Sequence, residues 1–186
     1  MIGQAFSGRL SRRSFTLGLA TPLALALIGL PLRQAEAARR ERSLLFHHLH
    51  TGETLKTVYF ADGRYLPEGL RAITHHLRDW RVDQTRPIDP ELLDLIWAVR
   101  QRLESSAPVH VVCGYRSPAT NALLRRRSYG VARNSLHMRG MAIDLRVPDR
   151  SLRSLRSAAM SLRGGGVGYY PRSDFVHVDS GSIRYW

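Results

Sequence analysis

Two short stretches of the sequence hold the side chains best suited to chemistry, residues 135–144 and residues 174–179. The first contains His137 and Asp144, and the second contains His177. Two imidazoles and one carboxylate are a common ligand set for catalytic zinc, which keeps its fourth position open for water. Such an ion lowers the pKa of a bound water to about 7 and makes it a nucleophile at neutral pH. The spacing alone leaves a second interpretation open, in which these are ordinary core or surface groups.

Hydrolysis by such a water also needs a carboxylate that takes and returns its proton. Asp174 lies three residues before His177 and is one candidate. Asp179 lies two residues after His177, which places it on the same face of a strand, and it is the other candidate. Asp179 is equally placed to orient a ligand imidazole. Both roles therefore stay open for Asp179.

Strand periodicity predicts how these side chains are presented. Residues 141–147 and 175–179 each read as a strand with apolar residues at alternate positions. Because side chains alternate between the two faces of a sheet, Asp144 and His177 both lie opposite the apolar face, where a cleft is expected. His137 precedes its strand in a loop.

The rest of the sequence predicts helices and short strands in mixed order. Residues 44–66 alternate polar and apolar groups around two turns and indicate short strands. Helix starts are predicted at Pro67, Asp89-Pro90, Ser117-Pro118 and Asp149, and further strands at 108–113, 141–147, 167–170 and 175–179. In the first helix, one buried face is predicted to contain Leu70, Ile73, Leu77 and Trp80. This order favours an α+β domain with a small antiparallel sheet and flanking helices.

The other histidines and the single cysteine are predicted to have no role as ligands or nucleophiles. At the cleft edge or surface we expect His47, His48 and His50. In solvent we expect His75 and His76, and in the core His110. Cys113 is predicted to be a buried apolar residue. With only one cysteine, an intramolecular disulfide and a cysteine-based zinc knuckle are both excluded.

The N-terminal segment has the pattern of an export signal. Paired arginines at 12–13 precede an apolar run at 15–32, and Ala35-Glu36-Ala37 resembles a cleavage site. The arginine pair is typical of twin-arginine export. We therefore predict a signal peptide at 1–37, a mature domain at 38–186 in the periplasm, and no stable membrane insertion after cleavage. A retained N-terminal anchor is the alternative.

The chain is strongly basic, with 28 Lys and Arg against 15 Asp and Glu and a net charge of +13. Such an excess fits an acidic polymer, nucleic acid or an anionic membrane, or reflects arginine-rich codon usage. An export signal places the chain away from chromosomal DNA, and the sequence contains no recognisable nucleic-acid motif. A nucleic-acid partner is therefore not expected.

The spacing Ser-x-His-x-x-Gly-x-Ala-x-Asp over residues 135–144, followed later by His-x-Asp, resembles the zinc peptidases of the DD-carboxypeptidase and VanX class, which share a fold with hedgehog signalling domains. A closer resemblance is to the YcbK/MepK group of murein endopeptidases. It is carried by residues 48–53, 114–117, 165–173 and 175–179, and it extends from about Leu44 to Trp186.

This resemblance implies a zinc ion on His137, Asp144 and His177. It implies that Arg116 faces the scissile carbonyl and stabilises the developing oxyanion, and that Asp174 is the general base. The implied function is hydrolysis of peptidoglycan peptide cross-links, in particular those between two diaminopimelate residues (3-3 links). Two alternatives remain: trimming of stem peptides as a D,D-carboxypeptidase or dipeptidase, and a non-catalytic zinc-containing module that binds the cell wall.

Overall fold

The computed structural model describes residues 41–127 and 130–186. The predicted signal segment, residues 1–37, lies outside these residues. Within the described part of the chain, none of the helices has the length and apolar character needed to cross a membrane.

The described residues form strands and helices in mixed order, as the pattern of the sequence predicts. The strands are β1 (Arg42–His48), β2 (Thr54–Ala61), β3 (Arg64–Tyr65), β4 (Val109–Cys113), β5 (Ala142–Arg146), β6 (Gly166–Tyr170), β7 (Phe175–Asp179) and β8 (Arg184–Tyr185). The helices are α1 (Pro67–His76), α2 (Pro90–Arg102), α3 (Pro118–Arg127) and α4 (Leu152–Leu162), with a 3-10 turn at Leu136–Arg139.

All eight strands belong to one sheet, in the order β3-β2-β1-β4-β5-β7-β6-β8. Neighbouring strands are antiparallel except for two parallel pairs, β1 with β4 and β6 with β8. The predicted α+β class with flanking helices is confirmed. The parallel pairs join strands that are distant in sequence, and no local pattern indicated them.

The centre of the sheet positions the candidate site. In β5 and β7, Ile143 lies opposite Val178 and Asp144 lies opposite His177. The two apolar residues are fully buried in the core, which also contains side chains from α2 and α4. The alternation predicted for these two strands is therefore confirmed, because one face of each strand joins the apolar core. The opposite face carries Asp144 and His177 side by side.

Two local predictions were wrong. Trp80 does not share the buried face of α1, because the helix ends at His76 and the chain then turns around the buried Asp79 carboxylate. The indole is 37% exposed and stacks on His50. Asp149 does not cap α4, since its carboxylate accepts a hydrogen bond from Ser105. The residue that caps α4 is Ser151.

Candidate active site

Three potential ligand atoms converge between the 3-10 turn, β5 and β7. The Nε2 atom of His137 lies 3.3 Å from Asp144 Oδ1 and 3.2 Å from His177 Nδ1. His177 Nδ1 in turn lies 2.8 Å from the same Asp144 oxygen. All three residues are buried. The structure thus brings together the three residues that the sequence analysis singled out as metal ligands.

The outer partners of the two imidazoles fix where each ring carries its proton. His137 Nδ1 lies 2.8 Å from the Gly114 carbonyl, which can only accept, so this nitrogen donates. His177 Nε2 lies 2.9 Å from the Asp179 carboxylate and donates to it. In the neutral imidazoles the inward nitrogens therefore hold lone pairs. Two lone pairs and a carboxylate oxygen face one another, and this arrangement fits a divalent cation.

The directions of the pKa shifts at the site favour the binding of positive charge. Burial alone lowers the pKa of His137, but the adjacent Asp144 carboxylate outweighs it and raises that pKa well above its ordinary value. Burial alone raises the pKa of Asp144, and the two imidazoles outweigh it and lower that pKa. A carboxylate that is ionised and fully surrounded by protein needs a cation or a proton beside it.

Asp179 lies behind the site and is committed to protein partners on both oxygens. It is fully buried. Oδ1 accepts from the backbone N–H groups of Gly166 and Gly181, and Arg184 donates to Oδ2 at 2.6 Å. Burial opposes ionisation, but these hydrogen bonds and the one from His177 lower the pKa of Asp179 to about 2. This geometry suits the orienting role that the sequence left open for Asp179.

Asp174 lies at the edge of the same strand and faces outward. Its carboxylate is 60% exposed and forms an ion pair with Arg146. Its backbone adopts a left-handed conformation with φ of 55°. The residues on either side, Ser173 and Phe175, both line the cleft in front of the histidines. Asp174 is therefore a solvent-accessible carboxylate at the rim of the cleft.

Arg116 reaches the cleft from the loop that follows β4. Its guanidinium donates to Ser135 Oγ at 2.9 Å, and its backbone N–H bonds to the His137 carbonyl at 3.2 Å. Its Nε is buried and has no partner among the described residues. The following residue is held by the Asp79 carboxylate, which accepts from the Ser117 N–H at 2.9 Å. The loop is thereby fixed beside the candidate metal ligands.

The cleft in front of these residues has a volume of about 530 Å³. Its floor contains the three potential ligands, and Arg116, Arg184 and the aromatic rings of Tyr170, Phe175 and Trp186 contribute to its walls. The Trp186 indole donates to the Tyr170 hydroxyl at 2.7 Å and lies against the His177 ring. Such a cleft accommodates an extended peptide segment with carboxylate groups.

Several contributors to the site were missed in the sequence. Neither Asp79 nor Trp186 belongs to a recognisable motif. The only signal for Asp79 was its isolated carboxylate, and the only signal for Trp186 was its large aromatic side chain. Cys113 is partly exposed rather than an ordinary core residue. Its sulfur and one potential ligand atom each from His137 and Asp144 all lie within 4.8 Å of one another.

Three predictions for the remaining histidines were wrong. His48 and His76 are 1% and 4% exposed, although they were expected at the cleft edge or surface and in solvent. The His76 ring packs against Phe46 and against the His48 ring, between α1 and β1. His75 is exposed as expected. His110 was expected in the core but is only half-buried, because it lies on the sheet face opposite the core.

Comparison with known proteins shows the family of the chain. The chain is 42% identical over 176 residues to the peptidoglycan L,D-endopeptidase MepK of Escherichia coli (strain K12), which covers 94% of this chain and 96% of that protein. It is also 42% identical over 148 residues to the "Probable peptidoglycan L,D-endopeptidase MepK" of Haemophilus influenzae, covering 79% and 80% of the two chains. A family model described as peptidoglycan L,D-endopeptidase MepK matches residues 36–186. The chain belongs to this family of M15 peptidases and is a peptidoglycan endopeptidase.

Proposed function

We propose that this endopeptidase works with a zinc ion held by His137, Asp144 and His177, and that it cleaves 3-3 cross-links of peptidoglycan in the periplasm. The observation that carries the proposal is the convergence of two imidazole nitrogens and one carboxylate oxygen within 3.3 Å of one another. Zinc commonly binds this donor set. When bound, it acts as a Lewis acid toward the scissile carbonyl and activates a water.

The residues around the ligands have separate roles in the reaction. Arg116 is held against Ser135, so its guanidinium charge is already in place when negative charge develops on the carbonyl oxygen. The site does not have to reorganise at that moment, and this lowers the barrier. Asp179 orients the His177 ring and keeps its inward nitrogen free of a proton.

The role of general base, which accepts the proton of the attacking water, is assigned to Asp174. Both oxygens of Asp179 are occupied by donors in the interior, so that carboxylate has no path along which to exchange a proton with substrate. Asp174 is exposed at the cleft rim, and only Arg146 pairs with it among the described residues. A carboxylate at the cleft rim is available to take a proton from the attacking water and return it to the leaving amine.

The preference for 3-3 links rests on the relatives and on the charge of the cleft. The relatives are named L,D-endopeptidases. A link between two diaminopimelate residues carries free carboxylates close to the scissile bond, and Arg116 and Arg184 lie in the cleft walls. Arginine binds carboxylates with directional, charge-assisted hydrogen bonds. The signal-like N-terminal sequence supports action in the periplasm, where the substrate is located.

Digestion of purified muropeptides tests the proposal. Dimers with 3-3 links and dimers with 4-3 links are incubated separately with the purified chain, with and without a chelator, and the products are identified by mass spectrometry. We expect conversion of 3-3 dimers to monomers, loss of this activity with chelator, and recovery on adding zinc. His177→Ala should be inactive, whereas His75→Ala, an exposed histidine on α1, should retain activity.

The other outcomes separate the alternatives. Release of free D-alanine or a dipeptide from monomers, with cross-links left intact, would identify a trimming enzyme. Binding to intact sacculi without any turnover in the presence of zinc would identify a wall-binding module. Equal cleavage of 3-3 and 4-3 dimers would retain the endopeptidase and reject the proposed specificity.

A further inference from the structure

Cys113 lies on the site face of the sheet because β4 contains a bulge. Val111 pairs with Leu145 of β5 and is fully buried in the core. In a regular strand Cys113 would lie on the same face as Val111, since residues two apart share a face. The pairing of β4 with β5 shifts between these two residues, so that Cys113 lies opposite Asp144 instead. A bulge re-aims a side chain in this way, and bulges are frequent beside active sites.

The thiol is thereby brought into the candidate metal site. Its sulfur, one ring nitrogen of His137 and one carboxylate oxygen of Asp144 all lie within 4.8 Å of one another. A tetrahedral ion with ligand bonds of about 2.0–2.3 Å holds its ligand atoms roughly 3.5 Å apart, so small side-chain movements suffice. Cys113 is also the only cysteine in the sequence.

We infer that Cys113 is a supplementary sulfur ligand, so that the site also holds thiophilic ions such as Cd²⁺ on Cys113, His137 and Asp144, in an arrangement that does not require His177. This inference rests on the proposed metal site. Thiolate is a soft ligand that favours such ions over harder ones. Coordination releases the thiol proton to solvent and leaves a sulfur–metal bond.

Sulfur coordination has a consequence for catalysis. A catalytic zinc site keeps one position free for water, whereas a site with four protein ligands is closed. If His177 stays bound as well, the thiolate completes a closed set of four. In that four-ligand arrangement, a thiophilic ion would leave the site without peptidase activity. Cys113 distinguishes this chain's site from one made only of histidine and carboxylate ligands.

Absorption spectroscopy of the untagged full-length chain tests the inference. The reduced chain is loaded with Co²⁺ or Cd²⁺, its metal content is measured, and sulfur-to-metal charge-transfer absorption is recorded in the ultraviolet. We expect this absorption in the wild-type chain and in His177→Ala, and its complete loss in Cys113→Ser. Cys113→Ser should also weaken Cd²⁺ binding by at least about tenfold, as loss of a metal-site group does.

The outcomes separate this inference from the proposed function. Bound metal without charge-transfer absorption in the wild-type chain would overturn the sulfur ligand, and zinc-dependent cleavage of muropeptides by the same preparation would leave the proposed function intact. Absorption that persists in Cys113→Ser would also overturn it, since no other thiol is available. Absence of any bound metal would reject both the sulfur ligand and the proposed metal-dependent function.

Discussion

At the scale of single residues, the site is defined by the groups behind the potential ligands. The Gly114 carbonyl lies behind His137, and the Asp179 carboxylate lies behind His177. Each accepts the outer N–H of its imidazole and so directs the inward lone pair toward Asp144. A backbone carbonyl cannot be removed by substitution, but a carboxylate can. Asp179 therefore offers a direct test of this positioning.

Asp179→Asn should lower metal affinity by about 10- to 100-fold, because the neutral amide accepts the His177 proton less strongly and can also present its own N–H group. Competition with a chelating dye measures the affinity. Asp174→Asn, just before the opposite end of the same strand, is the matched variant. It should keep the metal affinity and lower the turnover rate by about 10²- to 10⁴-fold, as expected for a general base. Unchanged metal affinity in Asp179→Asn would contradict the orienting role.

Arg116→Lys should lower kcat by about 10²- to 10³-fold with a smaller effect on KM, because an ammonium group cannot keep the fixed guanidinium geometry that stabilises the oxyanion. Steady-state kinetics on a purified 3-3 dimer measure both constants. Ser135→Ala removes the hydrogen bond that holds Arg116 but keeps the charge, so its effect should be smaller. An equal loss in the two variants would show that the hydrogen bond to Ser135 matters as much as the guanidinium group itself.

At the scale of secondary-structure elements, the site depends on close packing across the sheet. Helix α1 lies directly on β2, and a Cβ atom at Gly69 would lie 2.0 Å from the Val58 carbonyl oxygen. The contact is with backbone, so it cannot be relieved by a side-chain rotation. The end of this helix leads to Asp79, which holds the loop that carries Arg116. Packing of α1 therefore affects both stability and the site.

Gly69→Ala should lower the free energy of unfolding by about 1–3 kcal/mol or more, because the added methyl group forces α1 away from β2. Urea unfolding followed by circular dichroism measures the change. Arg71→Ala, at an exposed position of the same helix, is the control and should change stability by less than about 0.5 kcal/mol. If Gly69→Ala were as stable as this control, the direct contact between helix and strand would be wrong.

At the scale of the whole molecule, a buried histidine pair links β1 to α1. His48 Nδ1 accepts the backbone N–H of His50 at 3.2 Å, so its proton is on Nε2. The Nε2 atoms of His48 and His76 are both buried without a partner among the described residues. Burial is the main cause that lowers the pKa of each ring to about 4, and for His48 the neighbouring His76 and His50 contribute to the same shift. The interior therefore holds two neutral imidazoles at neutral pH.

Stability should depend on pH through this pair. Between the ordinary histidine pKa of 6.5 and the folded value of about 4, the unfolded chain binds more protons than the folded chain. The free energy of unfolding should therefore be greatest above pH 6.5 and fall as the pH drops toward 4, by up to roughly 3 kcal/mol per histidine.

Urea titrations at pH 7 and pH 5 measure this dependence. His76→Phe, which places another ring beside Phe46, should make stability less sensitive to pH because one of the two groups is removed. His75→Phe alters an exposed histidine of the same helix and should preserve the wild-type dependence. If the free energy of unfolding changed equally with pH in His76→Phe and in the wild-type chain, a neutral buried His76 would be contradicted.

Local sequence patterns were enough to predict most of the secondary-structure elements and the chemical types of the site residues. Apolar alternation placed Asp144 and His177 on one face of their strands, and separated motifs indicated the peptidase family. These features are local or are carried by residue type, so they can be read along the chain. Periodicity also indicates the helices, because each must bury one apolar stripe.

Contacts between groups that are distant in sequence depend on how the elements pack together. The proton positions of His137 and His177 depend on acceptors supplied by other segments. Burial of His48 and His76 follows from the packing of α1 on the sheet, which a helical pattern with adjacent histidines does not reveal. Cys113 reaches Asp144 because a bulge shifts the phase of β4. Alternation predicts faces only in regular strands, and a bulge arises from pairing with a neighbour distant in sequence.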